Sequence, residues 1–246
     1  MLTDTEGIVL RQIKTSYNRR MIVLFSRKYG KISAGTSIGD KGRSKSTLAL
    51  RPFTFGRYEL FVNRDSYNIN SAETLRSFYK IGEDVDKYMN GAYVLEFTEK
   101  VLEEGVPQQA VFDLLLEFFE LLQNRDKGIG TLVLAYQTKL LRFAGVMPEL
   151  ERCTVCGKTR AECTGDEFFS IESGGFVCSD HAVSNSLIYK DEFGIIDVLR
   201  YFATQPLKKL ENIALNESAG KQLQRLIREY AAYYLDVSNI KSEKLI

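Results

Sequence analysis

The sequence has no long apolar run and no secretory signal. Its most apolar stretch, residues 111–122, is interrupted by Asp113, Glu117 and Glu120, whereas a membrane-spanning helix needs about 18 or more uninterrupted apolar residues. The N-terminus lacks the basic and then apolar pattern of a signal peptide. These absences predict a soluble, cytoplasmic protein with no membrane partner.

Histidine and cysteine are scarce. The 246 residues include one histidine and four cysteines, too few cysteines for a disulfide scaffold. A single histidine, once bound to a metal, leaves none for a Ser-His-Asp or Cys-His catalytic arrangement. No Gly-x4-Gly-Lys-Ser/Thr loop occurs, and Gly128-Ile-Gly130 lacks the third glycine of a dinucleotide fingerprint. We therefore expect no nucleotide cofactor and no enzymatic activity.

Charge is distributed unevenly along the chain, although the net charge is only +1. Residues 1–80 contain 15 Lys and Arg against 6 Asp and Glu, a balance of +9, and residues 81–246 contain 18 against 26, a balance of −8. A cationic segment attracts polyanions. Nucleic acid is therefore the first candidate ligand, at the N-terminal third.

The first 70 residues show the period of two that is typical of strands. In residues 53–62 the inward parity switches near Gly56, as it does at a β-bulge. Five short strands in this length favour a partly open barrel of the oligonucleotide-binding (OB) kind, and a small β-sandwich is the alternative. Phe53, Phe55, Tyr58 and Phe61 are assigned to the barrel core. The predicted strands are residues 7–13, 20–26, 31–36, 53–62 and 67–70.

After Ser71 the period changes to about 3.6, which indicates helices. The predicted fold is an α+β multidomain protein, in which a five-stranded OB-fold barrel precedes an all-helical domain with an inserted zinc module. The predicted domains are 1–80 for the DNA-binding barrel, 81–150 plus 182–246 for the helices and 151–181 for the zinc module. The predicted helices are 83–103, 107–124, 131–143, 192–203 and 218–235.

Two pairs of potential metal ligands have the spacing of zinc knuckles: Cys153-Thr-Val-Cys156 and Cys178-Ser-Asp-His181. Thiolates and a neutral imidazole suit tetrahedral Zn²⁺. Four protein ligands leave no position for activated water, so we expect one structural Zn²⁺ per chain. Two alternatives remain: an all-cysteine site that uses Cys163 in place of His181, and free thiols or disulfides without a metal.

The N-terminal cations lie close to aromatic residues, a combination that neutralises phosphates and stacks on bases. The loop 39–46 joins small residues to three cations and can hold phosphate oxygens. Tyr17 and Tyr29 lie in polar turns and are the stacking candidates. Binding should be largely insensitive to base sequence. The predicted DNA-binding residues are Arg11, Arg19, Arg20, Lys28, Lys31, Lys41, Arg43, Lys45 and Arg51.

The order and spacing of several motifs resemble the bacterial RecO family of recombination mediators. These motifs are Glu6-Gly7-Ile8-Val9-Leu10, Tyr29-Gly30-Lys31, Gly42-Arg43-Ser44-Lys45-Ser46, Leu50-Arg51-Pro52-Phe53, Cys153-x2-Cys156-Gly157, Phe169-Ser170 and Gly174-Gly175-Phe176-x-Cys178. The family usually closes its zinc site with a fourth cysteine, where this chain has His181.

The resemblance implies an OB-fold domain, a helical domain with a zinc module, binding of single- and double-stranded DNA, and strand annealing without ATP. It also implies a role in DNA repair and recombination in the cytoplasm, associated with the nucleoid. The implied partners are RecR and the acidic C-terminal tail of single-stranded DNA-binding protein, so that the recombinase RecA can load. A groove beside Lys139, Arg142 and Phe143 is a candidate site for that tail.

Two other functions fit parts of the pattern. An RNA-binding or ribosome-associated zinc protein has the same composition, and competition between DNA and RNA oligonucleotides distinguishes the two. A metal-dependent nuclease needs a carboxylate cluster near the basic segment. The acidic residues of positions 1–80 are scattered instead, at Asp4, Glu6, Asp40, Glu59, Asp65 and Glu73.

Overall fold

The computed structural model describes residues 1–14, 20–39, 45–64, 66–182 and 187–245. The chain forms two compact units. The first, which we call the barrel unit, comprises Met1–Arg125 together with Ile240–Ile246, and the second unit comprises Asp126–Asn239. Among the helices of the described residues, none is both long and apolar enough to cross a bilayer.

Five strands of the barrel unit pair in a closed ring. Each strand pairs with its neighbours in the order β1-β2-β3-β5-β4, and β4 returns to β1. All of these pairings are antiparallel except β3 with β5, which is parallel and short. The five predicted strands are therefore confirmed, with β1 and β5 longer than expected. Their bounds are β1 Leu2–Lys14, β2 Arg20–Ser26, β3 Gly30–Thr36, β4 Thr54–Asn63 and β5 Ser66–Ser77.

The barrel interior is filled by alternate residues of these strands and by the short helix α1 (Lys45–Ala49). Tyr58 is fully buried, and its hydroxyl donates to the Ala49 carbonyl at 2.5 Å. Burial raises the pKa of this phenol well above its usual value. The register of β4 against β5 shifts between Phe55 and Gly56, which confirms the bulge predicted there and lets the inward face change.

Two helices of the barrel unit pack against the outside of the barrel: α2 (Val85–Val101) and α3 (Gln109–Asn124). Phe53 and Phe55 were expected in the barrel core, but their rings contact helical aromatics instead. Phe53 lies 5.6 Å from Phe119, and Phe55 lies 6.1 Å from Phe112, between ring centroids. The packing boundary therefore follows Arg125 and not residue 80, because a change of periodicity marks a change of element and not the edge of a core.

The described residues of the second unit form three α-helices, short 3₁₀ turns and a small sheet. Its helices are α4 (Ile129–Phe143), α5 (Ile195–Thr204) and α6 (Glu217–Leu235). The segment between α4 and α5 contains β6 (Glu167–Ser170), β7 (Gly175–Cys178) and β8 (Ile188–Lys190), which pair antiparallel in the order β7-β6-β8. The periodicity predicted these helices but not this sheet, whose strands are only three or four residues long.

A substitution at Gly30 tests how tightly the loop after α2 packs against β3. It has a φ of +67°, and a Cβ there would lie 2.2 Å from the Val106 carbonyl oxygen. We expect Gly30→Ala to lower the free energy of unfolding by on the order of 2 kcal/mol or more, through backbone strain and this clash. Gly82→Ala is the control, because a Cβ at Gly82 meets nothing within 4 Å. Equal urea midpoints for the two variants would contradict the prediction.

Candidate functional site

The four predicted metal ligands lie together in the second unit. Their ligand atoms are all within 4.8 Å of one another. Cys153 and Cys178 are buried, whereas Cys156 is exposed. Cys178 ends β7, and His181 lies in the 3₁₀ turn that follows it, Ser179–His181. Within the described residues Cys163 is not part of this group, so the structure favours the arrangement that includes His181.

Backbone hydrogen bonds hold the first pair of ligands against the second. The Gly157 N–H donates to the Cys153 carbonyl at 2.8 Å, and Gly157 has the left-handed φ of +74° that such a tight turn requires. The Thr154 N–H donates to the Phe176 carbonyl of β7 at 2.9 Å. The tight turn packs on β7 and thus brings the two pairs of ligands, which are separate along the chain, into one cluster.

The sulfur atoms of the cluster have different proton affinities. Burial raises the pKa of Cys153, but the backbone N–H groups of Cys156, Cys178 and Val155 lower it to about 6. Burial and the neighbouring thiols of Cys153 and Cys156 raise the pKa of Cys178 to about 12. Thiolates this close repel one another, so a cation among them is needed before all three can ionise.

The geometry of the cluster fits a tetrahedral ion. Two sulfur atoms bound to one Zn²⁺ at about 2.3 Å lie roughly 3.8 Å apart, and the Cys156 and Cys178 Sγ atoms are 3.9 Å apart. His181 Nδ1 lies 3.1 Å from Cys178 Sγ. The donor set and its spacing are therefore compatible with zinc.

An ion-pair network joins the segment that contains the cluster to α5. Arg160 donates to both carboxylate oxygens of Glu167, at 2.9 and 2.6 Å, and to those of Asp197, at 2.7 and 3.2 Å. Arg200 also pairs with Asp197, at 2.9 Å, and with Glu151, at 3.4 Å. The hydrogen bonds to Glu167 and Asp197 raise the pKa of Arg160 above its usual value. Sequence reasoning missed the network, because its members are far apart along the chain.

The predicted DNA-binding cations have varied surroundings in the barrel unit. Arg11 forms a two-pronged ion pair with Glu99 of α2, at 3.0 and 2.6 Å. Arg20 is 8 % exposed and donates to the Ile38 carbonyl, which leaves little of its side chain for a ligand, so DNA binding by Arg20 stays a prediction. Lys31 donates to the Glu99 carbonyl at 2.7 Å. Arg11 and Lys31 are thus engaged by the protein itself.

The other predicted cations include exposed ones. Lys28 is exposed and donates to Thr3 Oγ1 at 2.9 Å, and Arg51 is also exposed. Lys45 is the first residue of α1, but its side chain is not described. The residues outside the described ranges are Tyr17, Arg19, Lys41 and Arg43. Tyr29, the other stacking candidate, is half-buried against the barrel core instead.

A groove of about 1060 Å³ lies on the barrel at β3, β4 and β5. Phe61 is 48 % exposed in it, so the assignment of this ring to the core is wrong. Strand parity was the available signal, because Tyr58 and Leu60 point inward and Phe61 must then point outward. Arg64, in the turn between β4 and β5, is a second residue that the sequence reasoning missed. The lining includes Arg20, Phe61, Arg64, Tyr67, Asn68 and Glu104.

The residues proposed for a protein partner, Lys139, Arg142 and Phe143, lie in the C-terminal part of α4. Arg142 donates to the Ala203 carbonyl at the end of α5 at 2.9 Å, and Phe143 is 46 % exposed. A mainly apolar groove of about 500 Å³ runs along α5 past Tyr201. Of the described residues, those that line this groove do not include Lys139, Arg142 or Phe143.

The Arg160 network should stabilise the second unit. We expect Arg160→Met to lower the free energy of unfolding by on the order of 2 kcal/mol, because Glu167 then loses its ion pair and Asp197 retains only Arg200, in a site where the arginine side chain is only 17 % exposed. Lys190→Met, which removes an exposed pair with Asp166, should cost about 0–1 kcal/mol. Thermal unfolding measures both variants, and a smaller loss for Arg160→Met than for Lys190→Met would contradict this ranking.

Known proteins resemble this chain over nearly its whole length. It is 29% identical over 242 residues to the DNA repair protein RecO of Alkaliphilus metalliredigens, covering 98% of this chain and 97% of the relative. It is 29% identical to the protein of that name in Desulforamulus reducens, covering 94% and 89% of the two chains. For Exiguobacterium sibiricum the identity is 28%, covering 95% and 92%.

Two family models match the chain in succession. The model described as the N terminal part of recombination protein O matches residues 1–78, and the model of its C terminal part matches residues 82–244. The division between the two models falls near the domain boundary expected at residue 80, although backbone packing separates the compact units after Arg125. Because both family models match and the relatives align over nearly the whole length of the chain, the chain belongs to the recombination protein O family.

Proposed function

We propose that this protein is a recombination mediator in DNA repair. In this role it binds single- and double-stranded DNA largely without sequence preference, anneals complementary strands without ATP and helps the recombinase RecA to load on DNA coated by single-stranded DNA-binding protein. Family membership supports the repair role. The observation that carries the DNA-binding part is the groove on the closed five-stranded barrel, where an exposed ring and Arg64 lie together.

The barrel is, in this proposal, an OB fold. OB folds bind oligonucleotides on one sheet face, between the loop that joins strands 1 and 2 and the loop that joins strands 4 and 5. Arg64 lies in the second of these connections. The first connection, residues 15–19, contains the predicted contact Arg19 and lies outside the described residues. The groove and Arg64 of the β4–β5 connection therefore fit this binding mode.

The protein's own role in annealing is electrostatic and positional, and we propose no catalytic step. Cations on the barrel screen the repulsion between two phosphate backbones, which is the main barrier to their approach. The groove holds a strand in reach of its complement. Neither action consumes a nucleotide, in keeping with the lack of a Gly-x4-Gly-Lys-Ser/Thr loop in the sequence.

We also propose that Cys153, Cys156, Cys178 and His181 bind one structural Zn²⁺. Zinc would supply the positive charge that lets three close thiols ionise, and four protein ligands close the site to water. The module of residues 151–181 then folds around this ion. RecR and the acidic tail of single-stranded DNA-binding protein are the proposed protein partners. The candidate sites for that tail are the predicted surface at Lys139, Arg142 and Phe143 and the apolar groove along α5.

DNA binding should depend on salt and on two exposed arginines. We expect Arg51→Ala/Arg64→Ala to weaken binding of a single strand roughly tenfold at low salt. The slope of log affinity against log salt should become shallower by about 1.4, because each lost phosphate contact removes about 0.7. Annealing of strands coated by single-stranded DNA-binding protein should slow in parallel.

The matched control for this variant is Lys209→Ala/Lys221→Ala, which removes two exposed cations of the second unit. Fluorescence anisotropy across a salt series measures both. Binding by the wild type that does not change with salt would overturn the proposed function. Tighter binding of a matched RNA strand would favour the RNA-binding alternative.

Zinc should be present at one ion per chain in the purified protein. We expect Cys153→Ala and His181→Ala to lose it and to lower the melting temperature, because the two knuckles then no longer share a centre. Cys163→Ala should retain the ion and melt like the wild type. Elemental analysis and thermal unfolding test this, and loss of zinc from Cys163→Ala but not from His181→Ala would contradict the ligand assignment.

A further inference from the structure

The floor of the barrel groove is a row of outward-facing residues. Backbone pairing places Gly35 of β3 beside Asn68 of β5, and Asn68 beside Phe61 of β4. Phe61 is 48 % exposed. Asn68 is also exposed, and Ser33, Ser66 and Asn70 line the same groove. The groove thus offers the exposed ring of Phe61 and the half-buried ring of Tyr67 among amides and hydroxyls.

This composition suits base edges and faces better than a phosphate backbone. An exposed aromatic ring stacks on a base of any identity, and amide and hydroxyl groups both donate and accept hydrogen bonds. The cationic side chains that line the groove within the described residues are Arg20 and Arg64. Because the Arg20 guanidinium donates to the Ile38 carbonyl, Arg64 is the exposed one that remains for a phosphate.

An acid is held at the rim of the groove. Glu104 is exposed and lines the groove, and the loop that carries it is docked on β3. Its neighbour Gly105 donates its N–H to the Lys31 carbonyl at 2.9 Å, and Lys31 forms a parallel bridge with Glu104. A carboxylate on this docked loop repels phosphates, but it accepts hydrogen bonds from the exocyclic amino groups of unpaired bases. The rim therefore disfavours a duplex backbone and tolerates exposed bases.

We infer that this groove binds the unpaired bases of a single DNA strand, with a base stacked on Phe61 and a phosphate at Arg64, and thereby distinguishes single-stranded from double-stranded DNA. The inference rests on the proposed function and assigns duplex binding to other cations of the protein. In a duplex the base faces are covered by their neighbours, so they cannot reach Phe61. Once two strands have paired, their bases leave the groove and the product is released from it.

The test is the full-length Phe61→Ala variant, with single-stranded DNA of 20 mixed bases and the matching duplex as probes. We expect the affinity for the single strand to fall by roughly 5- to 150-fold, the loss for one stacked base. The duplex affinity should change less than twofold, and the salt slope should not change, because no charge is removed. Phe61→Tyr should retain the wild-type affinity, which separates stacking from a folding defect.

Two further variants sharpen the comparison. Phe193→Ala is the matched control, since Phe193 is 43 % exposed in the second unit, and it should leave both affinities unchanged. Glu104→Gln should raise the duplex affinity relative to that of the single strand. Equal losses on both probes for Phe61→Ala, or no loss on either, would overturn the inference while leaving the proposed function intact. A wild-type protein that binds neither probe would instead overturn the proposed function.

Discussion

The packing of α2 and α3 on the outside of the barrel is the constraint on which the rest of the barrel unit depends. Phe25 and Phe55 meet the Phe112 ring, and Phe53 meets Phe119. Without these helices, the outward-facing rings of the strands would leave a large apolar surface in water. The helices cover these rings, whereas Phe61, in the groove at β3, β4 and β5, stays exposed among the described strand residues.

The same packing changes the meaning of the charge distribution. Three arginines of the barrel pair with helical carboxylates: Arg11 with Glu99, Arg27 with Asp113 and Arg76 with Glu120. Part of the +9 balance of residues 1–80 is therefore neutralised inside one unit. A DNA surface must rely on the remaining cations, among which Arg51 and Arg64 are exposed. Uneven charge along a chain indicates a polyanion ligand, but not which cations meet it.

The metal cluster was the part most accessible to sequence reasoning. The two ligands of a knuckle are separated by only two residues, so the chain itself keeps them close together. The lone histidine left few alternative ligand sets. The Arg160 network and the sheet of the second unit were not accessible. Arg160 and Asp197 are separated by 37 residues, and ion pairs at such separation leave no periodic signal. The outward orientation of Phe61 could be predicted from the alternation of side chains along β4, since Tyr58 and Leu60 on the same strand face the core.

The sequence by itself determined the five barrel strands, the long helices, the bulge at Gly56, the zinc-type ligand set and the family resemblance, because each depends on neighbours along the chain or on fixed spacing. Only the tertiary structure decided that α2 and α3 belong with the barrel, that Arg20 is buried and that Phe61, Arg64 and Glu104 share one groove. These outcomes depend on which apolar surfaces cover one another. That choice minimises exposed apolar area over the whole unit, and no local pattern encodes it.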